Sequence, residues 1–205
     1  MSGATENVTT ASGNDTVTGN ASANAIRTLG GADTISAGAG DDNVDPGDGA
    51  DTANGDDGND TFIASDAVGV FTGDSRDTYN GNDGAGDTVS YAARNGGARV
   101  TIAGAANDGT FAGEALENDN VTLTVEDVTG SNGSDELEGS AADNVLLGGP
   151  GNNTIDPSLG SDTVDGGSGA DTLRTRDGIR DTVTCGTGND DLLADSLDVV
   201  TDPGE

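Results

Sequence analysis

The sequence has no lysine, no histidine and no tryptophan, and its single cysteine is Cys185. Each absence removes a kind of chemistry. Without histidine, and with one thiol, zinc and copper have no plausible donor set. A lone cysteine makes no internal disulfide. Cys185 is expected as a small residue at a strand end, the alternatives being a free thiol or an intermolecular bridge. Positive charge is nearly missing: seven arginines face 38 acidic residues, for a net charge of -31. Nucleic acid and anionic membrane surfaces, which require basic patches, are thereby excluded as partners. No apolar run is long enough for a membrane span. Met1-Ser2-Gly3-Ala4-Thr5 lacks the basic and apolar regions of a signal peptide, so the expectation is a mature form or another export route. Aromatic residues make up only 2%. Chains this charged, with so few large apolar residues, are usually disordered unless a cation neutralises and crosslinks them.

What is present is aspartate and glycine: 31 Asp against 7 Glu, with 35 Gly. Glutamate favours exposed helices, whereas aspartate favours turns and short-armed metal coordination. These residues recur with a period of nine at Asp15, Asn24, Asp33, Asp42, Asp51 and Asp60. Two residues before each stand Gly13, Ser22, Gly31, Gly40, Gly49 and Gly58. Two residues after each stand Val17, Ile26, Ile35, Val44, Ala53 and Phe62. The register returns at Asp135, Asn144, Asn153, Asp162 and Asp171, with Leu137, Leu146, Ile155, Val164 and Leu173 as the apolar column. After one extra residue it continues through Asp181-Thr182-Val183 and Asp190-Asp191-Leu192. The two arrays match at an offset of 120, and both have Asn for Asp in the second unit.

This spacing has a geometric meaning. A short strand places one side chain inward between two outward ones, and the other six residues of the unit form a turn that glycine permits. Two units make one coil of eighteen residues, so alternate units stack. Asp15, Asp33 and Asp51 then share one edge, and Asn24, Asp42 and Asp60 the other. Coils about 4.8 Å apart bring like charges together. A divalent cation between them converts repulsion into coordination. Turn carbonyls complete an all-oxygen shell that suits calcium better than magnesium.

The units Gly30-Gly31-Ala32-Asp33-Thr34-Ile35, Gly40-Asp41-Asp42-Asn43-Val44 and Gly169-Ala170-Asp171-Thr172-Leu173 resemble the RTX, or hemolysin-type, calcium-binding repeat of bacterial proteins. The resemblance covers roughly residues 10–63 and 127–193. It implies an all-β fold, a right-handed parallel β-roll (a β-solenoid) of nonapeptide repeats that is disordered without calcium. It also implies a secreted or cell-surface protein. By the same resemblance Asp15, Asp33, Asp42, Asp51, Asp60, Asp135, Asp162, Asp171 and Asp190 supply side-chain oxygens to calcium. Asn24, Asn144 and Asn153 offer an uncharged oxygen in the same column, so the second array is expected to bind less tightly. Stacking implies on the order of six to ten ions. The end of the chain, Val199-Val200-Thr201-Asp202-Pro203-Gly204-Glu205, departs from the family's type I secretion signals.

The expected organisation is a first array over 1–63, an irregular β-rich segment over 64–126 continuing the solenoid, a second array over 127–193 and a tail over 194–205. Within the middle, Gly86-Asp87-Thr88-Val89-Ser90-Tyr91 reads as a strand entered from an acidic turn, further strands are expected at Arg99–Ile102 and Val121–Val125, and an exposed loop at Ala105–Asn120. A small separate β domain is the alternative for this segment. Arg174, Arg176 and Arg180 are expected to balance neighbouring acids, the alternative being an anion site. The functional expectation is a non-enzymatic calcium-binding module whose extracellular polysaccharide or surface partner the residues do not name. Two alternatives remain. A calcium-dependent polysaccharide lyase or epimerase would need a base, for which Tyr79, Tyr91 and arginine are the available groups. An ice-binding solenoid would need a regular threonine face. Thr16, Thr34 and Thr52 begin one, but Thr18, Ser36 and Asn54 beside them are mixed.

Overall fold

A computed structural model of the chain describes residues 7–65, 76–104, 106–110 and 118–202. The described residues contain strands and no helix. In chain order the first strands are β1 (Asn7–Thr9), β2 (Thr16–Thr18), β3 (Ala25–Arg27), β4 (Thr34–Ala39), β5 (Asn43–Asp45), β6 (Thr52–Asp57) and β7 (Thr61–Ile63). The middle contributes β8 (Thr78–Asp83), β9 (Thr88–Ser90), β10 (Ala98–Thr101), β11 (Gly109–Thr110) and β12 (Asn120–Val121). There follow β13 (Asp127–Thr129), β14 (Glu136–Glu138), β15 (Val145–Leu147), β16 (Thr154–Asp156), β17 (Thr163–Asp165), β18 (Thr172–Arg174), β19 (Thr182–Thr184), β20 (Asp191–Leu193) and β21 (Val199–Asp202).

These strands make a parallel β-roll. One sheet has ten strands in the order β1-β3-β5-β7-β9-β13-β15-β17-β19-β21. It passes from the first array through β9 into the second without a break. The remaining strands form two sheets, β12-β8-β6-β4-β2 and β11-β10-β14-β16-β18-β20. Within each array the register advances by one coil: Val17 pairs with Ile35, Ile26 with Val44 and Leu137 with Ile155. In most of these strands only the central residue is buried, as in Thr16–Thr18 and Glu136–Glu138. Stacked central residues therefore form two facing ladders that make up most of the core, including Ile35, Val44, Val89, Leu146 and Leu173. Leu192 and Val200, at the last rungs, are partly buried. No helix of the described residues is long and apolar enough to cross a membrane.

The middle differs in places from the sequence expectation. β8 begins within Asp77-Thr78-Tyr79, a triplet off the nine-residue period, and pairs with β6 across a longer insertion. Of the strand expected at Val121–Val125 only Asn120–Val121 is extended, because a turn closes at once with the Val125 N–H donating to the Thr122 carbonyl. The expected exposed loop at Ala105–Asn120 lies partly outside the described residues. Its described part includes β11, antiparallel to β10, and two buried aspartates, Asp108 and Asp119. Within the segment read as a tail, β21 pairs with β19. Cys185 is a small buried residue of the core cluster.

Candidate metal centre

The aspartates of the repeat lie where a strand begins, side chains buried between successive turns. Their two oxygens have different surroundings. The first, Oδ1, accepts the backbone N–H of the matching residue one coil earlier. Asp15 N–H donates to Asp33 (2.7 Å), Asp33 N–H to Asp51 (2.7 Å) and Asp51 N–H to Asp77 (2.9 Å). On the other edge the series runs from Asn24 to Asp42 (2.6 Å), Asp42 to Asp60 (2.8 Å) and Asp60 to Asp87 (2.7 Å). In the second half it runs from Asn144 to Asp162 (2.7 Å) to Asp181 (2.8 Å), and from Asn153 to Asp171 (2.7 Å) to Asp190 (2.9 Å). Charge-assisted bonds of this length fix the coil spacing.

The second oxygen, Oδ2, is buried and meets no hydrogen-bond donor at Asp15, Asp33, Asp42, Asp60, Asp87, Asp162, Asp171, Asp181 and Asp190. Asn24 Oδ1 is in the same position. An unpartnered buried carboxylate oxygen costs several times what a paired one does, and here it recurs along both edges. Glycine makes the room. The space a Cβ would take at Gly166 is bounded by Asp171 Oδ2 at 2.9 Å and the Cys185 carbonyl oxygen at 2.5 Å. At Gly84 the same space lies 2.8 Å from Asp87 Oδ2 and 2.1 Å from the Gly58 carbonyl oxygen. Carboxylate and carbonyl oxygens thus come together without a proton between them.

Burial, opposed by these backbone hydrogen bonds and reinforced by neighbouring carboxylates, pushes Asp60 and Asp87 up to about 6 and Asp162 to about 7. Asp42, Asp171 and Asp181 rise for the same reasons. The groups repelling Asp162 are Asp181, Asp177 and Asp143. Such a set fits a hard divalent cation. Among the described residues no three His, Cys, Asp or Glu side chains gather closely enough to hold an ion alone. Turn carbonyls must therefore contribute, which suits the roughly six to eight oxygen ligands calcium takes.

Not every expected position has this geometry. Asp135 accepts from the Ser131 hydroxyl (2.6 Å) and the Ala98 N–H (2.6 Å) at Oδ1, and from the Ser131 N–H (2.9 Å) at Oδ2. Asn144 Oδ1 accepts the Ser140 N–H (2.8 Å), and its amide donates to the Glu126 carbonyl (2.7 Å). Asn153 Oδ1 accepts the Asp135 N–H (2.9 Å). These three side chains sit in the aspartate columns with their oxygens already engaged. Conversely, Asp77, Asp87, Asp119, Asp181 and Asp198 extend the columns and were not among the expected ligands. The signal for most of them is the triplet aspartate, threonine, apolar residue, found at Asp77, Asp87 and Asp181 as at Asp15 and Asp33.

The sequence pattern of the RTX calcium-binding nonapeptide repeat matches the chain in four copies, at residues 9–44, 45–67, 129–164 and 158–192. Together these span more than half of the chain. No curated protein matches it.

Proposed function

The chain belongs to the RTX calcium-binding nonapeptide repeat family, and from this premise we propose that it is a secreted or surface module whose arrays fold when they take up calcium. Calcium binding follows from the family. The proposal concerns where the ions sit and what they do. The ligands in the first array are Asp15, Asp33, Asp42, Asp51 and Asp60, joined by Asp87, with Asn24 contributing a neutral oxygen. In the second half they are Asp162, Asp171, Asp181 and Asp190. Asp51 is assigned by its place in the column between Asp33 and Asp77; for the others the observation behind the assignment is the recurring buried oxygen without a donor, next to turn carbonyls. Bound calcium supplies the positive charge these oxygens lack.

Folding on binding follows from the same balance. The core ladders are one residue wide, so apolar burial per coil is small, while each added coil buries more carboxylate. Affinities near 10⁻⁴–10⁻³ M, as in extracellular modules, would leave the chain unfolded in a cell interior and folded outside. A binding module is favoured over a catalyst because Tyr79 and Tyr91, the tyrosines available as bases, are fully buried. Their hydroxyls donate to Asp77 and Asp119.

Calorimetric and far-ultraviolet circular dichroism titrations with calcium, and with magnesium as control, test the proposal. Uptake of several calcium ions with a cooperative gain of β-signal, and no such gain with magnesium, is the expected result. Full β-signal in chelator, unchanged by calcium, would overturn the folding claim.

A further inference from the structure

The donorless oxygens are not spread evenly along the roll. In its centre, protein groups stand where the flanks have none. Asp77 Oδ2 accepts the Tyr79 hydroxyl (3.0 Å), and Asp119 Oδ2 accepts the Tyr91 hydroxyl (3.1 Å). Asp108 accepts two backbone N–H groups, from Thr101 and Val121, both at 2.8 Å. Asp135 is saturated by Ser131 and Ala98.

Asn153 shows the exchange most directly. At Gly166 the space of a missing Cβ is bounded by two oxygens, Asp171 Oδ2 and the Cys185 carbonyl. At Gly148, the corresponding glycine of the repeat two units earlier, the bounding atoms are the Asn153 amide nitrogen and the Gly166 carbonyl. That amide donates to the Gly166 carbonyl (3.0 Å) and to the Gly149 carbonyl (3.3 Å). An N–H pair bridges carbonyls that a cation would otherwise gather.

The same region has the heaviest core. Tyr79 and Tyr91 are its largest fully buried side chains, and Phe62 packs on Tyr79 at 5.7 Å between ring centroids. Buried Arg94 lies 5.9 Å over the Tyr91 ring and donates from Nε to the Ala64 carbonyl (2.7 Å). It brings a positive charge into the interior without a metal. Among the described side chains between Asp77 and Asp156, Asp87 Oδ2 and the uncharged Asn120 Oδ1 are the buried oxygens without a donor, and Asp87 stacks on Asp60 at the border with the first array.

We infer that the coils between Asp77 and Asp156 form a metal-independent hub that stays folded when calcium is withdrawn, and that both calcium-dependent arms grow from it. The inference rests on the calcium reading of the arms and adds that the roll is ordered from its centre outward, not as one all-or-none unit.

Hydrogen exchange of the full chain, followed by mass spectrometry in chelator and in calcium, tests it. In chelator, amides of β8 to β10 and β12 to β16 should exchange on the order of 100-fold more slowly than those of β1 to β6 and β17 to β21. Calcium should then protect the arms. Equal exchange along the whole chain in chelator, fast or slow, overturns the hub. Arms that gain nothing from calcium, with no ion taken up, overturn the calcium reading instead, and the chelator pattern still judges the hub. Two variants sharpen the assignment. Asn153→Asp should speed chelator exchange of β14 and β16 and raise calcium uptake by about one ion. Tyr79→Phe with Tyr91→Phe should lose hub protection in chelator although the rings still fill the core. Wild-type exchange and uptake in these variants would overturn the role given to the side chains.

Discussion

Where a repeat carries both of its glycines, as before Asp60 and Asp171, they and the aspartate have separate tasks. The glycine five residues before the aspartate clears space beside the carboxylate: a Cβ at Gly55 would lie 2.0 Å from Asp60 Oδ2. The glycine two residues before it turns the chain. Gly49 has φ 149°, and a Cβ there would lie 1.7 Å from the Gly31 carbonyl oxygen of the preceding coil. Gly13 has a similar φ of 134° but nothing within 4 Å of the added Cβ. Gly13→Ala should therefore cost only the backbone term, about 1–3 kcal/mol. Gly49→Ala should cost distinctly more and push the first array's calcium midpoint upward. Denaturant unfolding in saturating calcium compares the two, and equal losses would show that the stacking contact is unimportant. The aspartates add a pH dependence whose sign is fixed by burial. In the calcium-free roll Asp60 and Asp87 titrate near 6 and Asp162 near 7, above the ordinary 3.8. A carboxyl raised in the folded state favours folding while protonated, so this contribution is complete below about pH 4 and lost as pH rises through 6 to 7. Acidifying the chain in chelator from pH 7.5 to 4.5 should thus increase β-signal, while calcium affinity falls over the same window because protons compete for the same oxygens. A chelator spectrum flat across that range would contradict the burial of these groups.

At the scale of the strand, the roll spends one buried side chain per rung. Leu146 in β15 is fully buried between Val128 and Val164. Leu146→Ala should cost about 2–5 kcal/mol, the range for a large-to-small core change. Thermal melting in calcium measures it, and a loss under about 0.5 kcal/mol, typical of surface sites, would mean the ladder is not the stabilising core. These rungs were legible in the sequence because residue types repeat strictly where coil follows coil without insertion: Val17, Ile26, Ile35 and Val44 were placed by counting alone. So was the stacking of Asp15 on Asp33 and of Asp42 on Asp60. Counting failed where insertions lengthen a turn. Ala53 pairs with Tyr79, a step that is not a multiple of nine, so β8 and the column positions of Asp77 and Asp119 lay off the nine-residue register, whereas Phe62 pairs with Val89 three whole units on. The aspartate, threonine, apolar triplet survives such insertions because it belongs to the strand entrance, and it would have found Asp77. What no local pattern could reveal is which oxygens already have donors. Asp119 meets the hydroxyl of Tyr91, 28 residues away, and Asp135 and Asp162 look alike in sequence while only one retains a donorless oxygen.

Over the whole molecule, a net charge of -31 on 205 residues opposes compaction. Ten strands in one sheet at about 4.8 Å make a rod about 43 Å long. Aspartates are repeated along both edges of that rod, where screening by salt, with a Debye length of about 10 Å at 0.1 M, leaves neighbouring coils unshielded. Monovalent salt should therefore fail where calcium succeeds, because it screens the long-range repulsion without filling the oxygen cradles. Small-angle X-ray scattering reads the difference. A fully unfolded chain of this length has a radius of gyration of about 49 Å, and a compact one about 17 Å. In millimolar calcium the radius should approach the compact value, a little above it because the rod is elongated. In chelator with 0.5 M sodium chloride it should stay well above that value, yet below about 49 Å, since a folded centre shortens the chain between two expanded arms. Collapse in sodium chloride alone to the calcium value would show that charge screening, not coordination at the aspartate columns, controls the fold.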